Sequence, residues 1–149
     1  MILTFTAAET IKVGAEIADK LNASDIVLLS GDLGTGKTTL TKGILSYFGI
    51  DQNLVVSPTF TIMQEYTLNS KEQGTKNKIN KIIHIDTYRL ENEEELKNIG
   101  VEDYLGEPNT LCIIEWPEKI LGLIQNKTTK TINLEIGKNP EERIINFNF

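Results

Sequence analysis

The sequence predicts an α/β domain built on a mostly parallel sheet flanked by helices, with an antiparallel hairpin near its C-terminal end. Three observations carry that expectation. The runs Ile26-Val27-Leu28-Leu29, Ile82-Ile83-His84-Ile85 and Leu111-Cys112-Ile113-Ile114 are continuous in apolar character, as expected of parallel strands covered on both faces. Segments with helical spacing precede and separate these runs. Beyond residue 130 the period changes to two, the pattern of strands with unlike faces.

Taken in order, Thr6-Ala7-Ala8-Glu9 has the spacing of a capping box, in which a hydroxyl and a carboxylate satisfy amides left open at a helix start. A helix from Ala7 to Leu21 follows, with Ile11, Ala15, Ala18, Ile17 and Leu21 on its apolar stripe. After the first apolar run, a second helix is predicted from Lys37 to Phe48, stopped by Gly49. Phe60 to Tyr66 reads as strand-like. Asn69 to Lys81, polar and with four lysines against one glutamate, reads as a mobile excursion. The second and third apolar runs each end in an acid, Asp86 and Glu115, and between them Glu93 to Asn98 reads as a short helix ended by Gly100. Ile132, Leu134 and Ile136, then Ile145, Phe147 and Phe149, alternate with polar residues around a Gly137 to Glu142 loop.

At 149 residues, 40% hydrophobic and 24% charged, the chain suits one domain, residues 1–149. No apolar run approaches the roughly 18 residues of a membrane helix, and Met1 to Phe5 is unlike a signal peptide, so a cytoplasmic protein is expected. One cysteine, Cys112, excludes an internal disulfide, and with His84 the only histidine no Cys/His zinc cluster exists. Any metal is therefore oxygen-ligated. Fifteen basic residues against twenty-one acidic ones give a formal charge of -6, which disfavours broad wrapping of nucleic acid. RNA contact would be local or carried by a partner.

Gly31-Asp32-Leu33-Gly34-Thr35-Gly36-Lys37-Thr38 is a complete P-loop pattern, with the strand before it and the helix after it that the pattern requires. The fold expected is accordingly P-loop NTPase-like. The glycines let successive amides turn into one concave nest at a helix N-terminus, Lys37 brings a cation to the β and γ phosphates, and Thr38 offers a hydroxyl to Mg²⁺. Asp86 and Glu115, closing two strands of one sheet, would face the phosphates, since ligands of open α/β sheets bind outside the carboxyl ends of the strands. One would hold the metal or its water and the other orient an attacking water; either alone could instead cap a turn. Ser57-Pro58-Thr59 could bring a hydroxyl toward the γ-phosphate or be a plain turn. Arg89 could meet a phosphate or a carboxylate, and Trp116 a partner surface or the core. His84 and Cys112 read as core residues.

The chain lacks the Asn-Lys-x-Asp and Asp-x-x-Gly elements of switch GTPases; Asn77-Lys78-Ile79-Asn80 comes nearest to the first. ATP is therefore the nucleotide expected. A small-molecule kinase is the alternative, but Arg89 and Arg143 are the only arginines available to clamp a transferred phosphate. Hydrolysis coupled to a partner ranks above phosphotransfer.

Gly-Asp-Leu-Gly-Thr-Gly-Lys-Thr-Thr (31–39), Ser-Pro-Thr-Phe-Thr (57–61), His-Ile-Asp-Thr-Tyr-Arg-Leu (84–90) and Glu-Trp-Pro (115–117) together resemble the bacterial TsaE family over Thr6 to Arg143. The resemblance implies a cytoplasmic Mg²⁺-dependent ATPase of tRNA threonylcarbamoyladenosine formation, working with TsaB and TsaD and reaching tRNA through that complex. It implies that Lys37 contacts phosphates and acts with Asp86 in hydrolysis, and that Thr38 and Glu115 serve Mg²⁺. Thr6 and its neighbours would hold the adenine end, beside the nucleotide-binding segment Gly31, Asp32, Leu33, Gly34, Thr35, Gly36, Lys37, Thr38 and Thr39. Whether Asp86 or Glu115 ligates the metal directly stays open, and the polar stretch 69–81 is longer than the family connection.

Overall fold

A computed structural model describes residues 1–58, 61–68 and 78–149. The described residues form one seven-stranded sheet with helices on both faces. The elements are β1 (Ile2–Thr4), α1 (Ala7–Ala18), β2 (Ile26–Ser30), α2 (Lys37–Tyr47), β3 (Met63–Thr67), β4 (Lys81–Asp86), α3 (Glu94–Asn98), β5 (Thr110–Glu115), α4 (Leu121–Ile124), β6 (Lys130–Ile136) and β7 (Arg143–Phe147). Strand order is β1-β7-β6-β2-β5-β4-β3.

The sheet is mixed, and the expectation of a mostly parallel one describes only its centre. β6, β2, β5 and β4 run parallel to one another, whereas β3 on β4, β7 on β6 and β1 on β7 are antiparallel. The difference lies at the edges. β1 is three residues long, too short to show a period, and the hairpin does more than append itself, since β6 also joins the parallel centre through Val27↔Lys130 to Ser30↔Asn133. β3 starts at Met63 and not at Phe60 because Ile62 stands at φ 67, a left-handed conformation that interrupts an extended run. Thr59, Phe60 and Asn69 to Asn77 lie outside the described residues, and with them much of the 57–59 turn and of the 69–81 excursion.

The predicted helices form with small shifts at their ends. α1 is capped as expected, the Thr6 hydroxyl accepting from the Glu9 amide (3.1 Å) while the Phe5 amide donates to the Glu9 carboxylate (2.6 Å). It ends at Ala18 and not at Leu21 because the final turn tightens, with Lys20 N donating to Ile17 O and Leu21 N to Ala18 O. Leu21 is still fully buried.

Alternation along the central strands divides the core in two. Val27 and Leu29, Ile82, Leu111 and Ile113, and Ile132 and Leu134 point to the face covered by Ile17, Leu40, Ile44 and Leu45 of α1 and α2. Ile26 and Leu28, Ile83 and Ile85, and Cys112 and Ile114 point to the other, covered by Leu96, Val101, Leu105, Ile120 and Ile124. Both faces being covered is why these strands read as unbroken apolar runs.

α1 and α2 meet through two glycines. A Cβ on Gly43 would stand 2.0 Å from Ile11 O, and one on Gly14 2.4 Å from Leu40 O, so the helix backbones touch where no side chain fits. In an open helix Gly→Ala adds about 1 kcal/mol of stability. Here Gly43→Ala is expected to remove about 1–3 kcal/mol through overpacking, read as a fall in the thermal or urea midpoint of the variant against wild type.

Candidate functional site

The site lies at the carboxyl ends of the parallel strands. β2 delivers the chain into the loop 31–36, whose turn depends on two glycines in particular. Gly31 stands at φ 137 with Leu134 O only 2.2 Å from where a Cβ would be, and Gly36, at φ 95, is the N-cap of α2. Thr35 is buried and its hydroxyl donates to Asp32 O (2.9 Å), bracing the loop from behind. The first residues of α2, Lys37 and Thr38, consequently emerge between the loop and the ends of β4 and β5.

Register brings the two acids together. Asp86 pairs with Glu115 across β4 and β5, and the carboxylates, only 3% and 2% exposed, lie on the face carrying α1 and α2. Glu115 accepts from the Thr38 hydroxyl at 3.2 Å on each oxygen, and its Oε1 lies 2.9 Å from His84 Nε2. Asp86 is held separately: its Oδ2 accepts from the Ser57 hydroxyl (2.5 Å) and its Oδ1 from the Tyr88 amide (2.9 Å). Two like charges at neighbouring strand ends thus receive different donors.

The Lys37 amine is buried and donates to Gly31 O (2.6 Å) and Asp32 O (2.9 Å), with the Trp116 ring centroid 3.8 Å away. Trp116 reaches that position through a left-handed backbone, φ 61, which its neighbours hold: its amide donates to Leu29 O (3.2 Å) and its carbonyl accepts from the Thr87 hydroxyl (2.5 Å). The Tyr88 ring leans on the indole at 4.9 Å between centroids. Burial pushes the Lys37 pKa below its ordinary value, while Glu115, Asp86, Glu118 and Asp32 oppose that shift.

These groups line an open cleft of about 480 Å³. Of the residues singled out from sequence, Leu33, Gly34, Gly36, Lys37, Thr38, Thr39, Asp86 and Glu115 line it, and so do Ser57, Arg89 and Trp116. Gly31, Asp32 and Thr35 do not; they shape the loop from behind. Thr6 is exposed at the start of α1 with its hydroxyl engaged in the cap. It lies two residues beyond Thr4, which pairs with Arg143, and Arg143 Nε lies 3.9 Å from the Cβ position of Gly36.

Sequence reasoning passed over three contributors. Tyr88 lines the cleft and supports Trp116, and Thr87 ties the end of β4 to the end of β5 by donating to Glu115 O (3.1 Å) as well as to Trp116 O. His84 is fully buried, as a core histidine should be, but it is not packing alone, because one ring nitrogen reaches Glu115 and the other, Nδ1, has no partner among the described residues. The signal available was the motif His84 to Leu90, whose strand part puts His84 on the same face as Asp86.

The donor set is one hydroxyl and two carboxylates at a helix start, and among the described residues no group of three His, Cys, Asp or Glu forms a metal cage. Such a set suits a hard cation that keeps most of its ligands as water and ligand oxygens, as Mg²⁺ does. No helix among the described residues is long and apolar enough to cross a membrane.

A glycine-rich loop leading into a helix beside two strand-end acids, on one mixed sheet, defines a single-sheet α/β protein with its site at the strand ends. Within that class the chain belongs to the TsaE family. The family model described as threonylcarbamoyl adenosine biosynthesis protein TsaE matches residues 4–145. A Haemophilus influenzae protein named tRNA threonylcarbamoyladenosine biosynthesis protein TsaE is 42% identical over 112 residues, 74% of this chain and 64% of that relative, so the match spans less than two thirds of that relative's length. The Bacillus subtilis protein of the same name is 32% identical over 144 residues, 97% of this chain and 82% of its own. The crystal structure of Bacillus subtilis YdiB superposes with a TM-score of 0.74 at 28% identity, covering 98% of this chain and 82% of that one.

The buried amine makes a pH dependence with a definite sign. With its folded pKa lowered from 10.5, Lys37 holds fewer protons in the folded than in the unfolded chain over the interval between the two values. Stability from this group therefore rises with pH there. Against Lys37→Met, wild type should gain in melting temperature as pH is raised from neutral toward 10.5; a difference between the two that stays flat with pH would contradict the assignment.

Proposed function

We propose that the chain is a P-loop NTPase-like, Mg²⁺-dependent ATPase that supports the formation of threonylcarbamoyladenosine in tRNA together with TsaB and TsaD, in the cytoplasm. One observation carries the reading: Lys37, Thr38, Asp86 and Glu115, from a glycine-rich loop and two strand ends, line a single cleft. The family membership and the printed names of the relatives supply the pathway.

In this reading the loop amides of residues 33–36 and the start of α2 bind phosphate oxygens, and the Lys37 amine exchanges its two carbonyl acceptors for them. Thr38 and Glu115, already in contact, are the pair that holds Mg²⁺. When bound, that ion offsets charge developing between the β and γ phosphates. Asp86, whose oxygens accept from Ser57 and the Tyr88 amide, orients the attacking water as a hydrogen-bond acceptor. Thr6, two residues beyond the strand residue that pairs with Arg143, whose side chain reaches Gly36, would help hold the adenine end, as the family resemblance implies. Tyr88 and Trp116 close the cleft beside the metal acid and form the side from which a partner would act.

Three measurements test the reading. Mg·ATP or Mg·ADP at a hundredfold excess over the dissociation constant should stabilise the protein by about 2.7 kcal/mol, GTP clearly less, and Lys37→Ala should abolish the shift. Asp86→Ala and Glu115→Ala should retain nucleotide binding and lose turnover, and the Mg²⁺ requirement should change in Glu115→Ala alone. Phosphate release should be slow for the lone chain and rise when TsaB and TsaD are added, with Trp116→Ala reducing that rise more than the basal rate. An arginine supplied in trans can be worth on the order of 10³ to 10⁵ in such enzymes. Fast hydrolysis that ignores the partners would point instead to a self-sufficient ATPase or a kinase.

A further inference from the structure

We infer that His84 is a positioning residue for Glu115, its Nε2–H holding the carboxylate in the orientation in which, with Thr38, it takes up Mg²⁺. The inference rests on the magnesium–nucleotide reading of the cleft and assigns a role to a residue that the sequence presents as core.

The position is an unusual one for a histidine. Of its neighbours on the same face, Ile82 on its own strand and Ile113 opposite it on β5 are aliphatic, while Asp86 two residues on and Gln64 opposite it on β3 are polar, and its side chain is wholly shielded from solvent. An aliphatic residue would fill the site with no polar group to satisfy. Among the described residues the imidazole instead leaves Nδ1 without a hydrogen-bond partner, a cost that packing does not explain. Its return is the 2.9 Å contact between Nε2 and Glu115 Oε1.

That contact selects a tautomer. An unpartnered N–H at Nδ1 would be a buried donor without acceptor, so the neutral ring carries its proton on Nε2, where an acceptor exists. The Nε2–H then donates to Oε1. Glu115 Oε1 accepts from both His84 and Thr38, whereas Oε2 accepts from Thr38 alone. Oε2 is accordingly the oxygen with capacity left for a cation, and the histidine sets which oxygen that is. The geometry also explains why His84 stands two residues before Asp86: pairing places it opposite Ile113, which makes Glu115 its diagonal neighbour on the same face. Hydrogen-bond partners of metal-ligating carboxylates typically govern affinity by 10- to 100-fold.

The test compares wild type with His84→Leu, which keeps the bulk and removes the donor, and His84→Gln, whose terminal amide can place an N–H near the Nε2 position. Melting temperature is recorded without ligand, with ADP in EDTA, and with ADP across a Mg²⁺ titration. His84→Leu should raise the Mg²⁺ concentration for half-maximal ADP-dependent stabilisation by about 10- to 100-fold while leaving the shift by ADP in EDTA unchanged, and His84→Gln should bring the midpoint most of the way back. If His84→Leu does not fold, His84→Asn takes its place, because the shorter amide cannot reach Glu115. A lowered ligand-free melting temperature with an unmoved Mg²⁺ midpoint would overturn the inference and leave a structural histidine. Wild type that responds to ADP with no dependence on Mg²⁺ would overturn the metal reading of the cleft, and this inference with it.

Discussion

Two carboxylates ending adjacent parallel strands in register, both nearly excluded from water, are the constraint on which the rest of the site depends. Buried charges of one sign are tolerated only where donors and a counter-charge compensate them. Glu115 takes its donors from α2 and β4, and Asp86 takes its own from the segment before β3 and the turn after β4. The Lys37 amine supplies the positive charge nearby, which is why both acids oppose the lowering of its pKa by burial. Satisfying the two acids thus ties the start of α2 and the segment before β3 to the ends of β4 and β5.

α2 can serve those acids only if its first turn points at them, and that aim is set at two places. At the start, Gly31 presses against the backbone of β6 where a side chain would collide. Along the helix, Gly14 and Gly43 let α1 and α2 approach backbone to backbone. A crossing with larger residues would push the helices apart and tilt α2, and the Thr38 hydroxyl, at 3.2 Å from both Glu115 oxygens, has little distance to spare. Packing far from the cleft is in this way part of the geometry of the cleft.

The central strands, both long helices, the glycine loop and the strand-end acids were legible in the sequence because each is a local pattern: an apolar run, a helical period, a motif of eight residues. What escaped was lateral. The antiparallel attachment of β1 and β3 depends on three- and five-residue strands whose partners are far along the chain. His84 read as core because its apolar neighbours in sequence are indeed core; the residue it bonds lies 31 positions on, and only the register of β4 against β5 reveals the pair. Thr87 and Tyr88 escaped for a similar reason, since their contacts run to Trp116 across the ends of two strands.

The charged side chains of the site are paired within the chain. Lys37 has two carbonyl acceptors and an indole face, Glu115 has a hydroxyl and an imidazole, and Asp86 has a hydroxyl and an amide. Hydrogen bonds to a charged group are worth about 1.5–3 kcal/mol each, so anything that takes up the Lys37 amine has to replace contacts of that size before it gains any affinity. A neutral or singly charged ligand offers too little in exchange. A polyphosphate offers several anionic oxygens at once, to the amine and to the open amides of a helix start together, and a divalent cation arriving with it gives Thr38 and Glu115 a common partner in place of one another. In the proposed reading, selectivity for a multiply charged ligand would follow from the pairing of Lys37, Glu115 and Asp86 with groups of the chain itself.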